Sequence, residues 1–199
     1  RMFKRLVRRC PLEPNLVVRA HLLYAVAATG HSEAAGFLKS VAESEAAIEL
    51  RIAALDALAR TQDLQTAVPL LAKQLDRREA GLTEVLLRIF DRLQVPPPVE
   101  GLVAVLADYD RLDNHSLSLV LRFLARHKEH RAAKPLIEFL GHDLDDRLVQ
   151  SGVEALRSIL HPTPLEEYLA GLPTAEDGIY DAGVQKIQAY LAEQAESEE

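Results

Sequence analysis

The 199-residue chain has no tryptophan, and its single cysteine and its lack of a long apolar run each exclude a class of protein. Cys10 alone cannot form an internal disulfide bond, so packing has to stabilise the fold, and the composition is typical of a reducing compartment. Apolar runs such as residues 102–107 are far shorter than the about 20 residues that cross a bilayer. Because no secretory signal is recognisable either, we expect a cytoplasmic protein.

Motifs that bind phosphate or metal ions are also missing. The sequence contains neither GxxxxGK[S/T] nor GxGxxG. His127 and His130 form a His-x-x-His pair across a helix end, and His142 lies nearby in the sequence. These histidines fall short of the three or four fixed ligands that a zinc site needs. Arg8 and Arg9 would favour a thiolate at Cys10, but no base is placed beside it. We expect no cofactor, no metal and no catalytic residue.

The chain does contain a composition that favours helices and one basic segment. Apolar residues make up 48% of it and aromatic residues only 5%, which favours helices over strands. The first nine residues carry five positive charges and no negative one, whereas the whole chain has a net charge of −7, so the remainder carries −12. Residues 1–14 are therefore set apart as a basic N-terminal segment. It is either a solvated end or part of a truncated helix pair, or it contacts an anionic membrane surface through Arg1, Lys4, Arg5, Arg8 and Arg9.

Residues 46–61 have the pattern of an amphipathic helix. Apolar residues recur there at spacings of three and four, which places them on one side of a helix: Ile48, Ile52, Leu55, Leu58 and Ala59. Glu49, Asp56 and Arg60 are predicted to face away from that side. Such an apolar stripe needs a partner that buries it.

The same stripe recurs along the chain as two apolar columns. Successive members of the first column are 32, 32, 34, 32 and 34 residues apart: Leu23, Leu55, Leu87, Leu121, Val153 and Ile187. The second column follows three residues later: Val26, Leu58, Phe90, Leu124, Leu156 and Tyr190. A shorter apolar segment, such as residues 67–75, lies between consecutive copies. This period indicates a helix pair copied about six times, and we predict a repeat domain of residues 15–192 followed by an acidic, frayed tail of residues 193–199.

Caps and helix breakers set the predicted helix ends. Asn15 and Asn114 are predicted N-caps, and the prolines of residues 96–98 form a stiff connector. The predicted helices span residues 15–29, 31–43, 45–61, 63–77, 82–93, 99–109, 114–126, 130–139, 145–160, 165–170 and 176–192.

Residues 46–61 resemble the second helix of a HEAT repeat. The consensus of that helix has an aliphatic-arginine pair followed by alanine and by Ala-Leu, which correspond to Leu50-Arg51, Ala54 and Ala57-Leu58. Val18-Arg19 with Ala25-Val26 repeats the pattern, and Pro69 and Pro135 stand where a first helix carries proline. The arginine position is occupied by other residues in later copies: Thr83, Leu117 and Val149. The short period is closest to the HEAT-like repeats named after phycobilisome lyases.

This resemblance implies an all-α, right-handed α-solenoid of about five to six antiparallel helix pairs, whose second helices line the concave face. The positions equivalent to Asp56 in the successive copies form one column on that face: Tyr24, Asp56, Arg88, Arg122, Glu154 and Gln188. The positions equivalent to Arg60 form a second column: Ala28, Arg60, Arg92, Arg126, Ser158 and Ala192. Arginine suits carboxylate and phosphate groups, and the predicted partner-binding residues are Tyr24, Arg60, Arg88, Arg92, Arg122 and Arg126. The simpler interpretation is that the arginines are surface residues paired with Asp56, Asp91 or Glu129.

The functional expectation is a non-enzymatic protein-interaction or scaffold module that binds an acidic protein segment. Two alternatives remain: a HEAT-like lyase or other enzyme subunit, and a membrane-proximal module recruited through the basic N-terminal segment. Iron-dependent HEAT-repeat hydroxylases use His-Glu dipeptides, of which this chain has none. Nucleic acid is not expected as the partner, because Tyr24 is the one aromatic residue in the two arginine-bearing columns. The sequence leaves the oligomeric state open.

Overall fold

The computed structural model describes residues 1–61, 63–79, 81–172 and 178–197, and within these ranges all regular structure is helical. The α-helices there are α1 (Met2–Arg9), α2 (Leu16–Ala28), α3 (Ala34–Ser44), α4 (Ile48–Ala59), α5 (Leu64–Leu75), α6 (Leu82–Leu93), α7 (Val99–Ala107), α8 (Asn114–His127), α9 (Ala133–Leu140), α10 (Asp146–Leu160), α11 (Leu165–Ala170) and α12 (Gly178–Ser197). Short 3₁₀ segments at Cys10–Leu12, Tyr109–Arg111 and His130–Ala132 connect some of them. The predicted all-α class is confirmed for this part of the chain.

The helix ends show where capping was predicted correctly and where it was not. Asn15 caps α2, since its Oδ1 accepts hydrogen bonds from the backbone nitrogens of Val17 and Val18 at 2.9 and 3.2 Å. The prediction for Asn114 is wrong by one residue, because the carboxylate of Asp113 caps α8 instead. α12 continues to Ser197, beyond the predicted end at residue 192. Residues 176–177 and 198–199 of the predicted C-terminal part lie outside the described residues.

The chain forms two compact units, Arg1–Leu93 and Gln94–Glu199. In the first unit, α4 packs against α2 and α6, and α3 packs against α5. In the second unit, α8 packs against α10, and α7 packs against α9. In these helices, second helices of successive pairs therefore contact one another, and so do first helices. The predicted bounds of the basic segment, repeat domain and acidic tail stay a prediction.

The two apolar columns form the core of these helix pairs. All six members of the first column are at most 1% exposed, and so are five of the second. Tyr190 differs, because it lies on α12 and is partly exposed. Asp56 was predicted to face away from the core, which is wrong: it is buried, at 9% exposure. The reason is that cationic side chains from the same helix and from α6 enclose its carboxylate.

Two equivalent ion pairs join consecutive copies in the first unit. Arg19 on α2 binds Glu45, just before α4, at 2.6 Å, and Arg51 on α4 binds Glu79, just before α6. Both arginines belong to the aliphatic-arginine pairs of the repeat, and both have a buried Nε without a hydrogen-bond partner in the described chain. The two copies thus repeat one three-dimensional arrangement as well as one sequence pattern.

α12 departs from the repeated arrangement. It packs more extensively against α9, a first helix, than against α10, the preceding second helix. Gly141 and Gly183 stand at this contact, where a Cβ on either residue would collide with a backbone carbonyl oxygen of the opposite segment. Backbones that approach so closely require glycine. Ile187 is buried as predicted, but in packing that the repeat did not anticipate.

Replacing Gln74 on α5 with methionine should raise the free energy of unfolding by about 1 to 3 kcal/mol. Gln74 is 1% exposed, and neither amide atom has a hydrogen-bond partner in the described chain. A thioether of similar length removes that unsatisfied pair without leaving a cavity. Urea unfolding measures the change, and Gln65→Met on the exposed side of the same helix is the matched control. A loss of stability in Gln74→Met would contradict this interpretation.

Candidate functional site

A buried carboxylate with two arginines links three helices of the first unit. Asp56 on α4 accepts a hydrogen bond from Arg60 Nε at 3.0 Å and lies 2.5 Å from Arg92 Nη2 of α6. Tyr24 of α2 contributes to lowering the pKa of the same carboxylate, and the Arg60 guanidinium carbon lies 5.3 Å from the centre of the Tyr24 ring. We call Tyr24, Asp56, Arg60 and Arg92 the arginine cluster. Because one carboxylate balances two guanidinium groups, the cluster keeps a net positive charge.

The surroundings of Asp56 favour its ionised form. Burial has the largest single influence and acts to raise the pKa of Asp56, but hydrogen bonds from Arg92, Arg60 and Tyr24 together outweigh it and hold the pKa below its ordinary value. The same carboxylate, together with burial as the main cause, raises the pKa of Tyr24. At neutral pH the cluster therefore contains a carboxylate, a protonated phenol and two guanidinium ions.

Replacing Asp56 with asparagine should lower the free energy of unfolding at pH 7 by about 2 kcal/mol, since hydrogen bonds to charged groups are lost. A depressed folded-state pKa stabilises the fold above the unfolded-state pKa, and this contribution is lost as the pH falls through the folded-state value. The difference between wild type and variant should therefore shrink below about pH 4. Urea titrations at neutral and acidic pH measure it.

A matched control for that variant is Glu84→Gln, which removes a neighbouring carboxylate that lies 3.9 Å from Arg88. Because this pair is partly exposed, we expect a change below about 1 kcal/mol. Equal losses in both variants, or a pH-independent loss in Asp56→Asn, would contradict the assigned role of Asp56.

A cavity opens beside the arginine cluster. It has a volume of about 600 Å³, and Tyr24, Arg60 and His21 contribute to its lining together with small side chains of α2. The Arg60 and Arg92 side chains are 56% and 44% exposed, so both remain accessible despite their bonds to Asp56. The first unit thus presents guanidinium, phenol and imidazole groups beside one open cavity. His21 was not predicted, although it lies one helical turn before Tyr24 in the sequence.

The other predicted partner-binding arginines have different surroundings. Arg88 lies 3.9 Å from Glu84 on its own helix. Arg126, in the second unit, donates a hydrogen bond to the Gln94 carbonyl oxygen at 3.2 Å, and the adjacent His127 donates from Nε2 to the Pro97 carbonyl oxygen at 2.6 Å. Arg126 therefore holds the connector before α7, which is a structural role that the sequence did not suggest.

Arg122 lines a groove between α8 and α10 in the second unit. The cavity there has a volume of about 390 Å³ and mixes alanine and leucine side chains with polar groups: His115, Ser118, Ser151, Glu154 and Ser158. Glu154 and Ser158 are the positions that correspond to Asp56 and Arg60 in this copy. Equivalent positions therefore line a cavity in both units, but the second cavity carries a carboxylate where the first has a positive cluster.

The remaining chemical candidates gain no support from their surroundings. In the described residues, no group of three or more histidine, cysteine, aspartate or glutamate side chains could hold a metal ion. The ring of His142 instead lies 4.3 Å from that of Tyr109. Cys10 is 2% exposed, and burial, opposed by the nearby Arg19, raises the pKa of its thiol. The expected effect of Arg8 and Arg9 on this thiol is wrong, because both residues are exposed, Arg9 pairs with Glu13, and burial has the largest influence on the thiol.

Within the described ranges, none of the helices combines the length and the apolar character needed to cross a bilayer.

No protein-family model matches the chain, and a search of curated proteins gives no match either.

Proposed function

We propose that the chain is a HEAT-like α-solenoid that acts as a non-enzymatic protein-interaction module. Its partner is an acidic protein segment, and the main contact is the surface of α2, α4 and α6 that carries the arginine cluster. The observation that carries the proposal is the charge of this cluster: one buried carboxylate fixes two half-exposed guanidinium groups beside an open cavity.

The repeat part of the proposal rests on packing in each unit. From α2 to α10, second helices contact second helices, and first helices contact first helices. The ion pairs of Arg19 with Glu45 and of Arg51 with Glu79 recur with the same geometry of a partly buried arginine and a turn carboxylate. Helix pairs stacked in this manner are the building principle of α-solenoids.

The choice of an acidic partner rests on preorganisation. An arginine side chain loses considerable conformational freedom when it binds, and Asp56 has already restricted Arg60 and Arg92. A guanidinium has five N–H donors, and the contacts with Asp56 use the Arg60 Nε and one Arg92 Nη group. Carboxylates of a protein segment can accept from the others, with Tyr24 and His21 beside them.

Fluorescence anisotropy with a labelled glutamate-rich peptide tests the proposal. The variant is the triple substitution Asp56→Asn/Arg60→Gln/Arg92→Gln, which removes the charges of the cluster without leaving a buried carboxylate unpaired. We expect wild-type chain to bind the peptide and the triple variant to bind at least about tenfold more weakly, because charge-assisted hydrogen bonds are lost.

Lys39→Gln is the matched control, since it changes the net charge by the same amount from an exposed position on α3. A lysine-rich peptide of equal length serves as the control probe. Circular dichroism and thermal unfolding confirm that each variant is folded. The proposal fails if the triple variant binds the glutamate-rich peptide like wild type, or if Lys39→Gln weakens binding equally.

A further inference from the structure

An exposed surface at residues 1–18 of the first unit combines apolar and basic side chains. Five large apolar side chains are exposed in this segment: Met2, Leu12, Leu16, Val17 and Val18, at 43% to 72%. In the rest of the described chain, Leu64 alone belongs to the same class. Single exposed apolar residues are ordinary on protein surfaces, whereas their concentration in one short segment indicates a contact surface.

α1 displays the positive charges of this segment away from the protein. Phe3 is 7% exposed, and its ring stacks on that of His31 with 4.1 Å between centres and a 5° angle between planes. This contact fixes which side of α1 faces inward. At 100° per residue, Arg5 and Arg8 lie on the opposite side, and Met2 lies beside Arg9. All five basic residues of the segment are exposed.

Glu13 connects the basic side of α1 to the apolar start of α2. Its Oε2 accepts from Arg9 Nη2 at 2.8 Å, and its Oε1 accepts from the Asn15 backbone nitrogen at 3.2 Å. The Arg9 guanidinium is therefore held next to the first turn of α2, where Leu16 and Val17 are exposed. These two contacts bring a basic side chain of α1 next to the exposed apolar residues at the start of α2.

We propose that this surface binds an anionic lipid bilayer. Lys4, Arg5, Arg8 and Arg9 would contact lipid phosphates and acidic headgroups, while Met2, Leu12 and Val17 enter the boundary between headgroups and acyl chains. A bilayer offers diffuse negative charge and an apolar layer on the same side, which matches both properties of the segment. The remaining chain carries −12, so anionic lipid attracts the protein through this segment.

Vesicle co-sedimentation tests the proposal, with phosphatidylcholine vesicles that contain or lack phosphatidylserine. The wild-type chain should sediment with the phosphatidylserine vesicles, and added salt should release it. Arg5→Gln/Arg8→Gln should reduce partitioning about 25-fold, since each basic residue near an anionic leaflet contributes about fivefold. Leu12→Ser/Val17→Ser should also reduce partitioning, because the variant lacks two apolar side chains that would enter the bilayer.

Two matched controls accompany these variants. Lys39→Gln/Lys73→Gln removes the same charge from exposed positions on α3 and α5, and Leu64→Ser removes an exposed leucine elsewhere; both should sediment like wild type. The proposal is overturned if the wild-type chain sediments equally with and without phosphatidylserine, or if it does not sediment with vesicles at all. It is also overturned if Arg5→Gln/Arg8→Gln sediments like the wild type. Self-association that Leu12→Ser/Val17→Ser abolishes, without vesicle binding, would assign the surface to a second copy of the chain instead.

Discussion

Replacing Gly183 with alanine should displace α12 from α9 and lower the free energy of unfolding by about 3 kcal/mol or more. A Cβ at this position would collide with the Ile137 carbonyl oxygen and lie 2.9 Å from its carbonyl carbon. That carbonyl already accepts a hydrogen bond from the Gly141 nitrogen at 3.2 Å within the end of α9. Neither backbone can yield locally, so the helix as a whole has to move.

Hydrogen exchange measured by mass spectrometry should show the effect as faster exchange in α9 and α12. Gly36→Ala on α3 is the matched control, and it should raise the free energy of unfolding. A Cβ there meets nothing within 4 Å, and alanine favours the helix by about 0.5 to 1 kcal/mol. Unchanged exchange in α9 and α12 of Gly183→Ala would show that the close backbone contact is not formed.

Replacing Leu55 with alanine should lower the free energy of unfolding by about 2 to 5 kcal/mol. Leu55 has 0% exposure, and its helix α4 packs against α2, α3, α5 and α6. A cavity at the centre of four helix contacts cannot collapse easily, which places the expected loss toward the upper end. Leu121→Ala in the equivalent position of α8, at 1% exposure, should behave alike.

Leu64→Ala provides the comparison, since the same atoms are removed from a side chain that is 41% exposed. We expect a change within about 0.5 kcal/mol there. Urea unfolding of the three variants measures the series. If Leu55→Ala lost no more stability than Leu64→Ala, the repeat columns would not form the core.

The sequence was sufficient for the helices from α2 onward and for eleven of the twelve column positions, because both depend on local spacing. Leu23 and Leu87 occupy equivalent places for the same reason that Leu55 does: each sits where the apolar stripe of a second helix recurs. Capping was predictable at Asn15, but at α8 two neighbouring residues can both cap, and Asp113 is the one placed to accept from Ser116. Choices between adjacent residues depend on the turn geometry, which spacing does not determine.

The arginine cluster was only half predictable. The arginine columns predict Arg60 and Arg92, and a pairing with Asp56 is the simpler interpretation of the sequence. The burial of Asp56 was missed, because a single helix places it opposite the apolar stripe, whereas Arg92 of the next copy closes over it. Packing of α12 on α9 was missed for a related reason, since Gly141 and Gly183 signal a close approach only once both helices are placed together.

The most direct test of the proposed function is an NMR titration that observes the arginine Nε–Hε groups while a glutamate-rich peptide is added. We predict saturable shifts at Arg60 and Arg92 and none at Arg131, which Glu100 and Glu129 already hold in the second unit at 2.5 Å each. Shifts that are absent at Arg60 and Arg92, or that are equal at all arginines, would contradict binding of an acidic partner at the arginine cluster.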